Sequence, residues 1–283
     1  MEKIKCIICS SDNNLLYTQV SDRFNEEDSF NIVQCNCGFV YLNPRPDIQE
    51  IGFYYKHEDY IPHQSKNFNL FNLIYGFVQK FIFHWKYNKI NSYIDNSPIN
   101  LLDIGSGNGS FLDYLSKKIN INIFVNEPFV KLNYPSLNIE DNTTVKCEII
   151  SMWHSLEHIH DTNSIFTLID KILTVDGTLI IAVPNIDAYE RKFLKSDWIA
   201  YDSPRHLYHF SMDSLGQLLN KYNFTIIKKH PMIQDSIFNI LGSGKSNKFF
   251  RLIKSLYYIP ITLLSIFINK NSSSSLLYIC KRK

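Results

Sequence analysis

Between Met152 and His160 the chain reads MWHSLEHIH, three histidines and a glutamate within nine residues. His154, Glu157 and His158 spell H-x-x-E-H, which on a continuous helix puts both imidazoles on one face, fit for hydrolytic zinc. The preceding run CEIISMW (147–153) is apolar and β-compatible, so His154 falls instead at a strand-to-helix turn. Imidazole accepts a proton near neutrality, and Glu157 could orient or strengthen a neighbouring histidine. Glu157 and His158 could equally do no more than cap and hold the helix expected from His158 onward.

LLDIGSGNGSF (101–111) carries a second pattern. Asp103 is followed by Gly105, Ser106, Gly107 and Gly109 between an apolar run and a helical one. Glycines at alternate positions let the backbone turn and approach a ligand closely. The acid before them would repel a pyrophosphate and suits a ligand with an ammonium group. A third pattern is Cys6-x-x-Cys9 with Cys35-x-Cys37, two close thiol pairs that read as structural zinc.

The elements that must position these residues alternate from residue 99 onward. INLLDIG, INIFVNE, CEIISMW, GTLIIAVPN and FTIIKKH read as strands, with helices at SFLDYLSKK, HIHDTNSIFTLIDKIL and SMDSLGQLLNKY, the last capped by Ser211. Strands separated by helices imply a doubly wound α/β sheet. In that sheet residues 154–158 lie at the carboxyl edge of a strand, where such folds bind ligands. Three regions are expected: a module over 1–47, a helical linker or cap over 48–96, and the α/β domain over 97–283.

Residues 99–230 resemble the class I S-adenosylmethionine-dependent methyltransferases, whose first motif is D/E-x-G-x-G-x-G. The resemblance implies a Rossmann-like domain in which Asp103, Gly105, Ser106, Gly107 and Gly109 hold the amino-acid half of the cofactor. Glu127, 18 residues past Gly109, would bind the ribose hydroxyls, and Trp153 and His154 would flank the cofactor. Glu157 and His158 would face the acceptor, His206 sharing the proton-transfer role; some related O-methyltransferases hold a divalent ion at such a Glu-His pair. DSPRHLYHF (202–210) would form an acceptor lid in which Arg205 holds an anionic group, with His209 and Tyr208 beside it. A folded loop with a buried Arg–Asp pair is the alternative. The segment 128–146 is shorter than the family's, and Asn138, Glu140 and Asp141 are the candidates to read adenine. The cysteine pairs, GFVYLNPRP (38–46), WHSLEH and PRHLYHF together resemble a sugar-type subset with an N-terminal zinc module.

The resemblance implies methyl transfer to a sugar, nucleotide-sugar or surface-polysaccharide precursor, with oxygen slightly favoured over carbon. A quinone- or lipid-type O-methyltransferase and a non-catalytic cofactor-fold binding protein are the alternatives. With 29 basic and 27 acidic residues, the net charge of +2 gives no reason to expect nucleic acid. No export signal is visible, so a reducing cytoplasmic setting is expected, in which paired cysteines favour metal over disulfides. Residues 68–87 and 249–268 are apolar and aromatic. They form either buried helices or a surface touching the inner face of a membrane or a lipid-linked acceptor. Cys147 and Cys280 read as core residues.

Overall fold

The computed structural model describes residues 1–56, 70–94, 98–138, 144–244 and 248–283. Glu140 and Asp141, two of the adenine candidates, lie outside these residues, as do 57–69 of the expected cap. The strands are β1 (Asn14–Ser21), β2 (Ser29–Cys35), β3 (Val40–Leu42), β4 (Ile99–Ile104), β5 (Ile121–Asn126), β6 (Cys147–Trp153), β7 (Leu173–Pro184), β8 (Tyr208–His209), β9 (Phe224–Pro231) and β10 (Ser275–Arg282). The helices are α1 (Ile51–Tyr54), α2 (Leu70–Asn91), α3 (Ser110–Ser116), α4 (Thr162–Ile172), α5 (Arg191–Leu194), α6 (Met212–Lys221), α7 (Ile233–Gly242) and α8 (Lys248–Ile268).

Six strands form a mixed sheet in the order β5-β4-β6-β7-β10-β9, flanked by helices, which is the Rossmann-like α/β architecture expected. β4 pairs in parallel with β5 and β6, whereas β10 runs antiparallel to β9. The burial of each strand follows its place. The interior β6 is buried at every position but Glu148, and β10 along Ser275–Cys280. The edge strand β5 alternates, with Ile123 and Val125 inside. Past β5, among the described residues, a parallel bridge joins Val125 and Ser136.

Two compact units emerge. One comprises Glu58–Trp153 and Asn163–Ile180, the other Met1–His57, His154–Thr162 and Ile181–Lys283. These do not follow the boundaries at 47 and 97. In the second unit β1-β2-β3-β8 form a four-stranded sheet, in which Val40 and Tyr41 pair with His209 and Tyr208. Part of the expected lid is therefore a strand of the N-terminal module. Ser211 caps α6 as expected, its hydroxyl accepting from the Ser214 amide at 3.0 Å.

Candidate active site

The glycine loop and its acid lie within the first unit. Gly105, Gly107 and Gly109 all have positive φ, at 74°, 55° and 74°. A side chain at Gly109 would also press on Leu132, its Cβ 3.1 Å from Cδ2. The loop is tied to β5: the Gly105 amide donates to the Asn126 carbonyl at 2.9 Å, and the Gly107 amide to Glu127 Oε2 at 2.8 Å. Glu127 Oε1 accepts from the Phe129 amide at 3.0 Å, which orients the carboxylate. The Asn126 side chain reaches Leu137 O at 2.8 Å and Asn138 Oδ1 at 3.0 Å, so Asn138 folds back on β5.

Asp103 is buried and accepts a hydrogen bond from the Ser151 hydroxyl, a partner on β6 that no motif announces. Burial, only partly offset by Ser151 and Lys86, pushes its carboxyl up to about 6. The Ser106 hydroxyl donates to Asp103 O at 3.0 Å and so tightens the turn. Trp153, at the end of β6, packs edge-on against Phe111 at 5.7 Å, with the Lys86 ammonium 4.5 Å from its ring.

These residues suit S-adenosylmethionine. The left-handed glycines keep side chains off the turn, and nothing lies within 4 Å of where a Gly107 side chain would stand. Glu127 directly follows β5 and Asp103 is the penultimate residue of β4, carboxylates suited to a diol and an ammonium group.

The histidine cluster lies within the second unit. His154 takes a left-handed conformation, φ 55°, rare for a non-glycine residue. Leu156–His158 is a single 3₁₀ turn, and α4 starts at Thr162 rather than at His158 as expected, so H-x-x-E-H never lies on one helix. His154 Nε2 lies 3.0 Å from Asp235 Oδ2, and Nδ1 3.4 Å from Glu157 Oε1. Burial pulls the His154 pKa down, but these two carboxylates outweigh it and lift it to about 9. Glu157 is fully buried; burial alone would raise its pKa, yet His154 and the neighbouring histidines hold it below the usual range. Neither of its oxygens meets the geometry of a hydrogen bond among the described residues.

His158 and His206 meet edge to face, ring centroids 4.7 Å apart. His206 Nδ1 faces the Ala200 carbonyl at 2.8 Å, and His158 Nδ1 faces the Arg205 carbonyl and the Tyr55 hydroxyl, each at 3.0 Å. A carbonyl only accepts, so in each neutral ring Nδ1 carries the proton and Nε2 keeps the basic lone pair. His206 Nε2 lies 4.0 Å from Asp202 Oδ2. Burial first, then His206, depresses His158 to about 4. One ligand atom each from Glu157, His158 and His206 lies within 4.8 Å of the others, open to a shared proton or a shared cation. Glu157 and His158 do not cap α4; they brace the loop at 205–207, Glu157 O accepting from the Leu207 amide at 2.8 Å.

The three residues assigned to acceptor binding are enclosed. Arg205 is fully buried, with Asp22 and Asp202 each 2.7 Å from Nη2 and the Tyr54 carbonyl 3.2 Å from Nη1. This is the buried Arg–Asp arrangement rather than a guanidinium open to an anionic acceptor. Tyr208 is buried and its hydroxyl accepts from Arg45 at 2.8 Å. His209 is buried on β8; burial, then His206, pushes it down to about 3. Sequence reasoning did not include Tyr55, Asp235, Asp22 or Ser151, since none belongs to a spaced motif.

In the N-terminal module Cys6 Sγ lies 3.6 Å from Cys37 Sγ, and Cys9 Sγ 3.4 Å from Cys35 Sγ, with all four within 4.8 Å of one another. Tetrahedral zinc with sulfur at 2.3 Å requires separations of about 3.8 Å, so this donor set fits. Cys147 and Cys280 are buried, as expected.

No curated protein sequence matches the chain. Solved structures similar to it include the mitomycin 7-O-methyltransferase MmcR (12% identity, 70% of this chain and 53% of that one, TM-score 0.43). A putative sarcosine dimethylglycine methyltransferase from Galdieria sulphuraria is another (14%, 71% and 85%, 0.47). So is the mycolic acid cyclopropane synthase CmaA1 complexed with SAH and CTAB (12%, 70% and 83%, 0.43). The chain spans about half the length of the first of these. A family described as "Methyltransferase domain" matches residues 78–229, more than half of the 283. That match contains the glycine loop, Glu127 and both histidines of the pair, and the chain belongs to this family of S-adenosylmethionine-dependent methyltransferases.

Proposed function

We propose that the protein methylates a hydroxyl of a sugar, nucleotide-linked sugar or surface-polysaccharide precursor. The sugar class is supported by the joint presence of the four-cysteine module, GFVYLNPRP, WHSLEH and PRHLYHF in one chain. The observation that carries the chemistry is the His158–His206 pair, each Nδ1 committed to a backbone carbonyl. S-adenosylmethionine supplies an electrophilic methyl group on a sulfonium. Asp103, the glycine loop and Glu127 bind it, and Trp153 and His154 flank it. The pair takes up the proton that the acceptor hydroxyl must lose. A proton arriving at His206 Nε2 meets the Asp202 carboxylate at 4.0 Å. Buried Glu157 supplies the fixed negative charge that offsets it.

Zinc on Cys6, Cys9, Cys35 and Cys37 folds the N-terminal module and takes no part in the transfer. A quinone- or lipid-type acceptor is the second reading, favoured by the exposed apolar residues of α8. Mass spectrometry for a methylated product, run across nucleotide sugars and polyprenyl-linked or quinol acceptors, decides between them. A product only with the quinols would overturn the sugar assignment.

A further inference from the structure

The faces of α8 are inverted relative to a helix of a soluble core. Its buried residues include Ser255, Thr262 and Ile266, spaced seven and four apart on one side. At 100° per residue, Ile253, Leu256, Tyr257, Leu264, Phe267 and Ile268 fall on the opposite side, and all six are exposed, Phe267 by 85% and Ile268 by 77%. Only 17% of the span Phe250–Ile268 is buried. The adjoining α7 adds exposed Phe238 and Leu241. A continuous apolar stripe of this kind on a soluble surface calls for a partner.

Charge identifies the partner. After Asp235 the chain contains no acidic residue through Lys283, while Lys245, Lys248, Arg251, Lys254 and Lys270 lie on α8 or beside it in sequence. Arg251 and Lys254 lie on α8 itself, Lys254 at the edge of the apolar stripe and Arg251 turned toward the buried side. Asp187 and Asp213 line a cavity with Ser265 and Asn269 at the C-terminal end of α8, whereas its N-terminal half carries only cations; such an apolar face with cations beside it is complementary to the headgroup and acyl boundary of an anionic lipid surface. Protein partners recognised through mixed charge would leave a different composition.

The 21-residue helix is about 31 Å long, enough to cross a bilayer by length alone. Its packing argues for lying in the plane instead. Its inner face rests on α7, and the Ser265 hydroxyl donates to Ser272 Oγ at 3.0 Å. The chain enters β10 within seven residues of Ile268, so the C-terminal end is tied to the folded unit.

We propose that α8 docks the enzyme, as an in-plane amphipathic helix, on an anionic membrane surface. The test is co-sedimentation of the full chain with phosphatidylcholine vesicles containing 30% phosphatidylglycerol, against pure phosphatidylcholine. Binding is expected to the anionic vesicles, several-fold weaker in 0.5 M salt. The double variant Leu264→Ser/Phe267→Ser should lose at least about tenfold in partitioning. Arg251→Gln/Lys254→Gln should lose several-fold, and Leu15→Ser, an exposed apolar position on β1, should bind like wild type. All should keep wild-type circular dichroism, because Leu15, Lys254, Leu264 and Phe267 are exposed and Arg251 is only half-buried. Phe267→Trp should show fluorescence quenched by brominated acyl chains. Wild-type protein left in the supernatant, an unquenched tryptophan, or a dimer that Leu264→Ser/Phe267→Ser dissociates without any vesicle binding would each overturn the proposal.

Discussion

His158 and His206 each have one nitrogen fixed by a backbone carbonyl, which fixes the tautomer and leaves proton chemistry to the other. His206→Ala and His158→Ala are therefore expected to lower kcat by about 10²–10⁴-fold while S-adenosylmethionine affinity stays within twofold by calorimetry. Unchanged kcat in both would remove the pair from the mechanism. Burial also makes histidine a stability switch. Unfolded histidines take up protons below about pH 6.5, whereas folded His158 and His209 stay neutral until about 4 and 3. The unfolded chain binds more protons in that window, so stability falls as pH drops from 7 to 5, and His209→Gln should flatten the slope of urea midpoint against pH. His154 acts oppositely: raised to about 9, its contribution is complete below about pH 6.5 and is lost as pH rises through 9. Asp235→Asn should remove that alkaline loss.

At the scale of elements, the glycine loop works because its backbone occupies conformations closed to other residues. Gly107→Val should cost about 1–2 kcal/mol in strain and weaken cofactor binding at least tenfold by calorimetry. This loop, the strand before it and Glu127 were legible because close-range spacing determines them. Local pattern placed the start of α4 at His158, whereas it begins at Thr162: Leu156–His158 is a 3₁₀ turn, and the extended backbone of Ile159 separates it from the helix. β7 begins at Leu173 rather than Gly177, a start that Thr174 and Val175, both β-branched, are compatible with. For the lid residues the sequence left two readings open, an acceptor lid and a folded loop with a buried Arg–Asp pair. Arg205 binds Asp22, 183 positions away, and β8 pairs with β3, contacts that no periodicity within residues 202–210 announces. Arg205→Ala would strand two buried carboxylates, with an expected loss of about 3–5 kcal/mol by urea denaturation.

At the scale of the whole molecule, the sequence made the α/β class plain, through alternating apolar runs and helices, and hid the compact units. The N-terminal module shares a sheet with residues 208–209, so its loss should propagate beyond residue 47. Cys35→Ser should lower zinc content below one ion per chain and reduce Tm by several degrees. The exposure of α8 was half visible: its apolar length can be read, whereas which face is buried depends on α7 and the Ser265–Ser272 bond. The loop from Asp103 to Gly109, with Glu127, is the proposed binding site of the methyl donor. Isothermal calorimetry of the zinc-loaded chain with S-adenosylmethionine and S-adenosylhomocysteine tests it directly. One site per chain with micromolar affinity, lost in Glu127→Ala with the fold intact, is the predicted result. The absence of binding by either ligand to folded protein would contradict it.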